Sequence, residues 1–242
     1  MRLYNFNFEV VEDQFDNAQL LEAIHRLRYQ VYVREWGFED PADHPEGLEK
    51  DDYDQRSRHI YVYTGSRQNV IGTARLILPS SARLPLQEVF EIDSGFLGNP
   101  EHKVAEISRL AISKEYRRRE IDRVIFSGEN AGPGEVEESE AWKTAVHEDR
   151  RKCEHELIRG IYLLIYRESL KLGLTHWCAA MARGLYVLLL RWGIPFEQIG
   201  PAREYHGLRA PFALSIRTLE EVLTKKNPEL LQLARQVVAG DG

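Results

Sequence analysis

Val104-Ala105-Glu106-Ile107-Ser108-Arg109-Leu110-Ala111-Ile112 is the stretch around which the chain is organised. Val104, Ala105, Ile107, Leu110, Ala111 and Ile112 give it the near-continuous apolar run of a buried strand. Glu106, Ser108 and Arg109 break that run. A carboxylate or a guanidinium inside a sheet is expensive unless paired, so the stretch predicts either a structural ion pair or a working site. In a regular strand Glu106 and Ser108 share a face and Arg109 points to the other. Either a bulge re-aims Arg109, or Arg109 serves the opposite face as a partner for the acidic loop at Asp51 and Asp54.

Working outward, alternation of Tyr4, Phe6, Phe8 and Val10 with polar residues predicts a strand over 3–11. A helix follows from Asp16 or Asn17, its stripe made by Leu20, Leu21, Ile24, Leu27 and Val31, with Arg28 on the edge of that stripe. Residues 39–58, with Pro41, Pro45 and Gly47, read as a long ordered loop ending in Lys50-Asp51-Asp52-Tyr53-Asp54, an acidic cluster without metal-ligand spacing. Strands at 58–64 and 69–78 form a hairpin, and the second carries a lone Arg75 in an apolar run. Arg75 and the Glu106/Arg109 pair on neighbouring strands would give each buried charge a partner. Residues 153–172 and 185–192 read as helices, 174–181, 194–199 and the run up to Ile216 as strands, and 218–226 and 228–238 as terminal helices. His176 reads as a core histidine.

Strand, helix, hairpin, central strand and later βαβ units imply an α/β fold with helices on both faces of a mixed sheet, in one domain over 1–242 with a polar insertion at about 117–152. The net charge of −6 argues against a general nucleic-acid binder. Cys153 and Cys178 lack metal or disulfide-framework spacing, and residues 1–9 lack a secretory apolar core, so a reducing cytoplasm is expected. No apolar run is long enough to span a bilayer, although the product could associate with a membrane.

Four pieces, in order, resemble the acyl-homoserine lactone (autoinducer) synthases and the related N-acyl amino acid synthases: Leu27-Arg28-Tyr29-Gln30-Val31-Tyr32 with Trp36; Asp51-Asp52-Tyr53-Asp54; Gly72-Thr73-Ala74-Arg75-Leu76; and Ala105-Glu106-Ile107-Ser108-Arg109-Leu110. The second half resembles one branch, the acyltransferases associated with the PEP-CTERM/exosortase system, through Gly173-Leu174-Thr175-His176-Trp177, Gly193-Ile194-Pro195-Phe196, Ile199-Gly200-Pro201 and Tyr205-His206-Gly207-Leu208-Arg209-Ala210-Pro211. The resemblance implies the three-layer α/β/α sandwich of the acyl-CoA N-acyltransferases. The glycine-containing pyrophosphate loop usual in that superfamily has no counterpart in Tyr116–Arg123. It also implies transfer of a fatty acyl group from acyl carrier protein to an amine, with Arg28, Asp51, Asp54, Arg75, Glu106 and Arg109 lining the site and Tyr32 and Trp36 at the acceptor pocket.

Chemistry adds roles to these residues. An α-amino group has a pKa of about 8 and is mostly protonated near pH 7, so Glu106 is the candidate base. Backbone N–H groups of a bulged central strand would hold the oxyanion, with Ser108 and Arg109 beside Glu106 in the catalytic stretch. Arg109 or Arg75 would fork an acceptor carboxylate. Arg117, Arg118, Arg119, Arg150 and Arg151 are the expected docking cations for an acidic carrier protein. No cofactor or metal is expected beyond the acyl carrier or acyl-CoA co-substrate. The alternatives are a lactone synthase that uses S-adenosylmethionine and a non-catalytic acyl-binding protein on the same fold.

Overall fold

The structure, a computed structural model, describes residues 1–3, 5–11, 17–92, 94–117 and 141–236, with the side chains of 94, 141–153 and 236 excepted. Its fold is a mixed α/β arrangement on a mostly antiparallel open sheet. The described residues divide into two compact units, 1–75 with 109–117 and 141–162, and 76–108 with 163–236.

In the first unit, β1 (Arg2–Leu3), β2 (Phe6–Val11), β3 (Ser57–Tyr63) and β4 (Val70–Ile77) lie in that order. The strand β5 (Val104–Ile112) carries Arg109–Ile112 into this unit, where the Ser113 N–H donates to the Ile71 carbonyl at 2.8 Å. The helix α1 (Ala18–Tyr29) buries Ile24, Leu27 and Arg28. Ile24 packs with Val11 and Tyr61, and Leu27 and Val31 pack with Ala111. After Tyr29 the helix widens into a π-helical turn, Gln30–Glu35, closed by the Trp36 N–H on the Val31 carbonyl at 3.2 Å. Such turns often mark functional sites because they re-aim side chains.

In the second unit come α2 (Pro85–Val89), α3 (Ser94–Leu97) and the first half of β5. The helix α4 (Ala141–Lys171) starts in the first unit and ends in the second, ahead of β6 (His176–Met181), α5 (Arg183–Arg191), β7 (Glu197–Gln198), β8 (Arg203–Glu204), β9 (Leu208–Ser215), α6 (Ile216–Lys226) and α7 (Pro228–Gln236). The strand β5 pairs parallel with β6, which pairs antiparallel with β9, and β7 pairs antiparallel with β9. Trp177 is fully buried, its Nε1–H donating to Ser169 Oγ at 2.8 Å.

The expected elements are present with shifted ends, except that the one strand expected over 3–11 is two antiparallel strands, Arg2–Leu3 and Phe6–Val11. The long helix begins at Ala141 rather than 153. The 39–58 loop contains two 3₁₀ turns, Pro41–Asp43 and Asp52–Arg56. Most of the expected insertion at 117–152 lies outside the described residues. Among the described residues no helix is long and apolar enough to cross a membrane.

Gly200, in the Ile199-Gly200-Pro201 motif, shows how tightly the second unit is closed. A Cβ there would fall 2.2 Å from the Glu91 carbonyl oxygen and 2.9 Å from Pro211 Cγ. Backbone cannot yield as a side-chain tip can. Gly200→Ala is expected to lower stability by about 1–3 kcal/mol, read as a fall in melting temperature; an unchanged melting temperature would show that Glu91 and Gly200 do not approach this closely.

Candidate active site

The site grows outward from α1. Arg28 is 1% exposed, a position no guanidinium keeps without paired carboxylates. Its Nε donates to Glu49 Oε2 at 2.5 Å and its Nη1 to Asp54 Oδ1 at 2.7 Å. Glu49, equally buried, accepts Arg109 Nε on its other oxygen at 3.0 Å, and its backbone N–H donates to the His25 carbonyl at 3.1 Å. Arg75 Nη1 donates to Asp51 Oδ1 at 2.5 Å and to Asp54 Oδ1 at 2.8 Å. Arg109 Nη2 donates to Glu39 Oε1 at 3.1 Å and lies 3.6 Å from Asp51 Oδ2. Three guanidinium groups, Arg28, Arg75 and Arg109, thus interlock with four carboxylates, Glu39, Glu49, Asp51 and Asp54.

The Asp51/Asp54 spacing has a local cause. Asp51 Oδ1 accepts the Tyr53 N–H at 2.9 Å, and the Asp51 N–H donates to Asp54 Oδ2 at 2.9 Å, a reciprocal capping box on the 3₁₀ turn. The turn delivers both carboxylates to the arginines. Far from a solvated cluster, Asp54 is buried.

Arg109 resolves the alternation problem by its backbone. Its φ is 52°, a left-handed conformation that costs a non-glycine residue roughly 1–3 kcal/mol. The strand departs from regular geometry here, and the Arg109 guanidinium reaches Asp51 of the acidic loop. The Tyr32 hydroxyl donates to the Leu110 carbonyl beside the break at 2.8 Å, and the Arg109 guanidinium lies 5.5 Å from the Tyr32 ring centroid. Trp36 stacks on Phe38 at 5.9 Å, and Tyr32 lies 6.3 Å from Phe38. The π-helical turn and its exit therefore bring an aromatic trio to the charged network.

Electrostatics follow from this pairing. Burial would raise the carboxylates, but Arg28 and Arg109 outweigh it at Glu49 and bring it down to about 2. Arg28 and Arg75 do the same for Asp54, which sits well below the usual carboxylate range. His25 and His59 flank Asp54, their rings edge to face at 5.8 Å. Burial pushes both imidazoles down to about 4, against the opposing pull of Asp54.

Glu106 and Ser108 belong to the second unit. Glu106 is 3% exposed, and its Oε2 accepts the Leu86 N–H at 3.0 Å. It stands opposite Cys178 in the β5/β6 register, and burial together with Glu106 holds the Cys178 thiol well above its ordinary value. Such a thiol stays protonated and is no nucleophile.

Two expectations change. Arg117 is no surface docking cation: it is buried, ion-paired with Glu35, and 5.9 Å from the Trp36 ring centroid. The Nε/Nη2 edge of Arg109 is turned to Glu49 and Glu39 rather than offered as a fork to an acceptor carboxylate. Arg118 and Arg119, and the side chains of Arg150 and Arg151, lie outside the described residues. Glu49, Glu39, Glu35, Phe38 and the two histidines were not singled out by sequence reasoning. The one signal for Glu49 was Arg28 itself, whose place beside a buried stripe demands an acid.

Residues 27–127 match the model of the acetyltransferase (GNAT) domain family. No curated protein sequence matches it. Among solved structures the chain is similar to the acyl-homoserine lactone synthase LasI, at 18% identity over 87% of this chain and 90% of that one with a TM-score of 0.54. It is similar to the CoA-dependent acyl-homoserine lactone synthase BjaI, at 17% identity over 91% and 89% with a TM-score of 0.59. It is also similar to FeeM, an N-acyl amino acid synthase from uncultured soil microbes, at 11% identity over 91% and 96% with a TM-score of 0.53.

Glu49 supplies a pH test. Its folded pKa lies below its unfolded value, so its contribution is complete above about 4.5 and is lost as pH falls toward 2. Glu49→Gln strips Arg28 and Arg109 of a charge partner and is expected to cost on the order of 3–5 kcal/mol at pH 7. Paired melts of parent and variant are expected to converge as pH drops from 5 to 3; a constant gap would mean that the Glu49 charge is not what stabilises the loop.

Proposed function

We propose that the protein is an N-acyltransferase that moves a fatty acyl group from acyl carrier protein to the amine of an amino acid or similar small acceptor. The observation that carries this reading is the network of Arg28, Asp51, Asp54, Arg75 and Arg109 against Tyr32 and Trp36, within the segment that matches the acetyltransferase domain family. Its arginines are engaged by the protein's own carboxylates, and Glu39 and Asp51 remain partly exposed. Partly exposed carboxylates beside aromatic faces favour an acceptor that arrives as an ammonium cation.

The amine must then lose its proton. Glu106 is the proposed base, and the released amine attacks the thioester carbonyl. Backbone N–H groups where β5 departs from a regular strand at Arg109 are the proposed oxyanion donors. The thiolate of the carrier leaves, and no covalent enzyme intermediate is needed. The second-half motifs favour the exosortase-associated branch over a lactone synthase.

Glu106→Gln keeps shape and removes the base. Turnover per folded molecule is expected to fall about 10²–10⁴-fold, measured as acyl-amide formation with acyl carrier thioester across pH 6–9. Near-normal turnover would remove Glu106 from the mechanism. Release of methylthioadenosine from S-adenosylmethionine would point to a lactone synthase instead, and bound lipid without turnover over a broad amine panel to an acyl-binding protein.

With Arg117 excluded, Arg118, Arg119, Arg150 and Arg151 are the proposed carrier contacts. Charge reversal of Arg118 and Arg119 is expected to slow turnover with acyl carrier protein and flatten its salt dependence, while leaving acyl-CoA turnover unchanged. Equal losses with both donors would count against carrier docking.

A further inference from the structure

The geometry points to a metal site in the first unit that shares Asp54 with the charged network: His25, His59 and Asp54 hold a divalent transition metal of the kind zinc represents. The donor atoms converge. Asp54 Oδ2 lies 3.8 Å from His25 Nε2, Asp54 Oδ1 lies 3.9 Å from His59 Nε2, and ligand atoms from the three residues fall within 4.8 Å of one another. Two imidazoles and a carboxylate, with water completing a tetrahedron, form a familiar zinc donor set.

Unmet polar atoms point the same way. His59 is 1% exposed, and neither of its ring nitrogens has a hydrogen-bond partner; His25 Nε2 is also buried and unpartnered. A buried polar atom left bare is costly. An ion would take one lone pair from each ring.

Arg28 and Arg75 are the obvious objection, because both donate to Asp54. They donate to Oδ1, whereas Oδ2 takes the Asp51 N–H and faces His25. An ion held on Oδ2 sits on the oxygen that neither guanidinium uses, and His59, whose Nε2 lies 3.9 Å from Oδ1, has to turn toward it on loading. The surrounding network also holds four carboxylates against three arginines, leaving one negative charge to offset a cation. Zinc bonds of about 2.0–2.2 Å at tetrahedral angles set donors roughly 3.3–3.5 Å apart. Loading would therefore draw His25 and Asp54 together by roughly half an ångström.

The test uses the full chain, stripped with chelator and titrated with Zn²⁺ against a chromophoric competitor. One ion per chain is expected, with two imidazoles in the zinc X-ray absorption spectrum and a rise in melting temperature. His25→Ala and His59→Gln are each expected to lower the affinity at least tenfold, whereas His176→Ala, in the neighbouring His102/His176 ring pair of the second unit, leaves it unchanged. If His59→Gln does not fold, His25→Ala and the parent absorption spectrum decide. Failure to retain zinc, which would mean that water alone fills the site, overturns the inference. So does zinc that survives both variants or departs with His176.

Discussion

Burying Arg28 is the constraint on which the first unit rests. A guanidinium on the inner face of α1 leaves the fold no choice but to bring carboxylates to it, and they arrive from one loop. Glu49 and Asp54 are held by the same side chain, and the Glu49 N–H on the His25 carbonyl ties the loop to α1. Removing one member of such a group costs far more than the net worth of the pair, because the survivor is left charged and buried. The ion pairs therefore act less as a gain in stability than as a device that gives the 39–56 segment one conformation.

That conformation places chemistry. Once Glu49 is fixed, Arg109 is fixed through its Nε, and Asp51 follows through the capping turn. The aromatic trio at Tyr32, Trp36 and Phe38 lies on the exit of the helix that carries Arg28. Arg117 adds a clamp, engaging Glu35 and covering Trp36 from the far side of β5 in sequence. Charge that looks available for a substrate is largely committed internally, and Glu39 and Asp51 remain partly exposed.

Much of this was legible in the sequence, for identifiable reasons. Strand alternation and apolar runs located β3, β4, β5 and β6, and the charges inside β4 and β5 marked Arg75, Glu106 and Arg109 because polar groups in such runs need partners. Glu49 was not legible, since a glutamate in a polar loop looks solvated until the fold buries it. The π-helical turn also left no trace, because Val31 continues the stripe of Ile24 and Leu27 as an ordinary helix would. Arg117 failed in the other direction. Its place in a basic run suggested solvent, but the run begins directly after a 3₁₀ turn that turns the first arginine inward. Periodicity reports which side of an element is apolar and says nothing about where a loop will go.

The left-handed backbone at Arg109 has a consequence for how this position tolerates change. Glycine or asparagine would relax the dihedral angle but abandon Glu49 and Glu39. Lysine would keep the charge but replace a planar two-armed donor with a point charge. Any residue that suits the backbone fails the network, and any that approximates the network keeps the strain. The position is a local optimum from which every single step leads downhill, so laboratory selection for thermal stability alone is expected to find its gains elsewhere in the chain and leave Arg109 as it is.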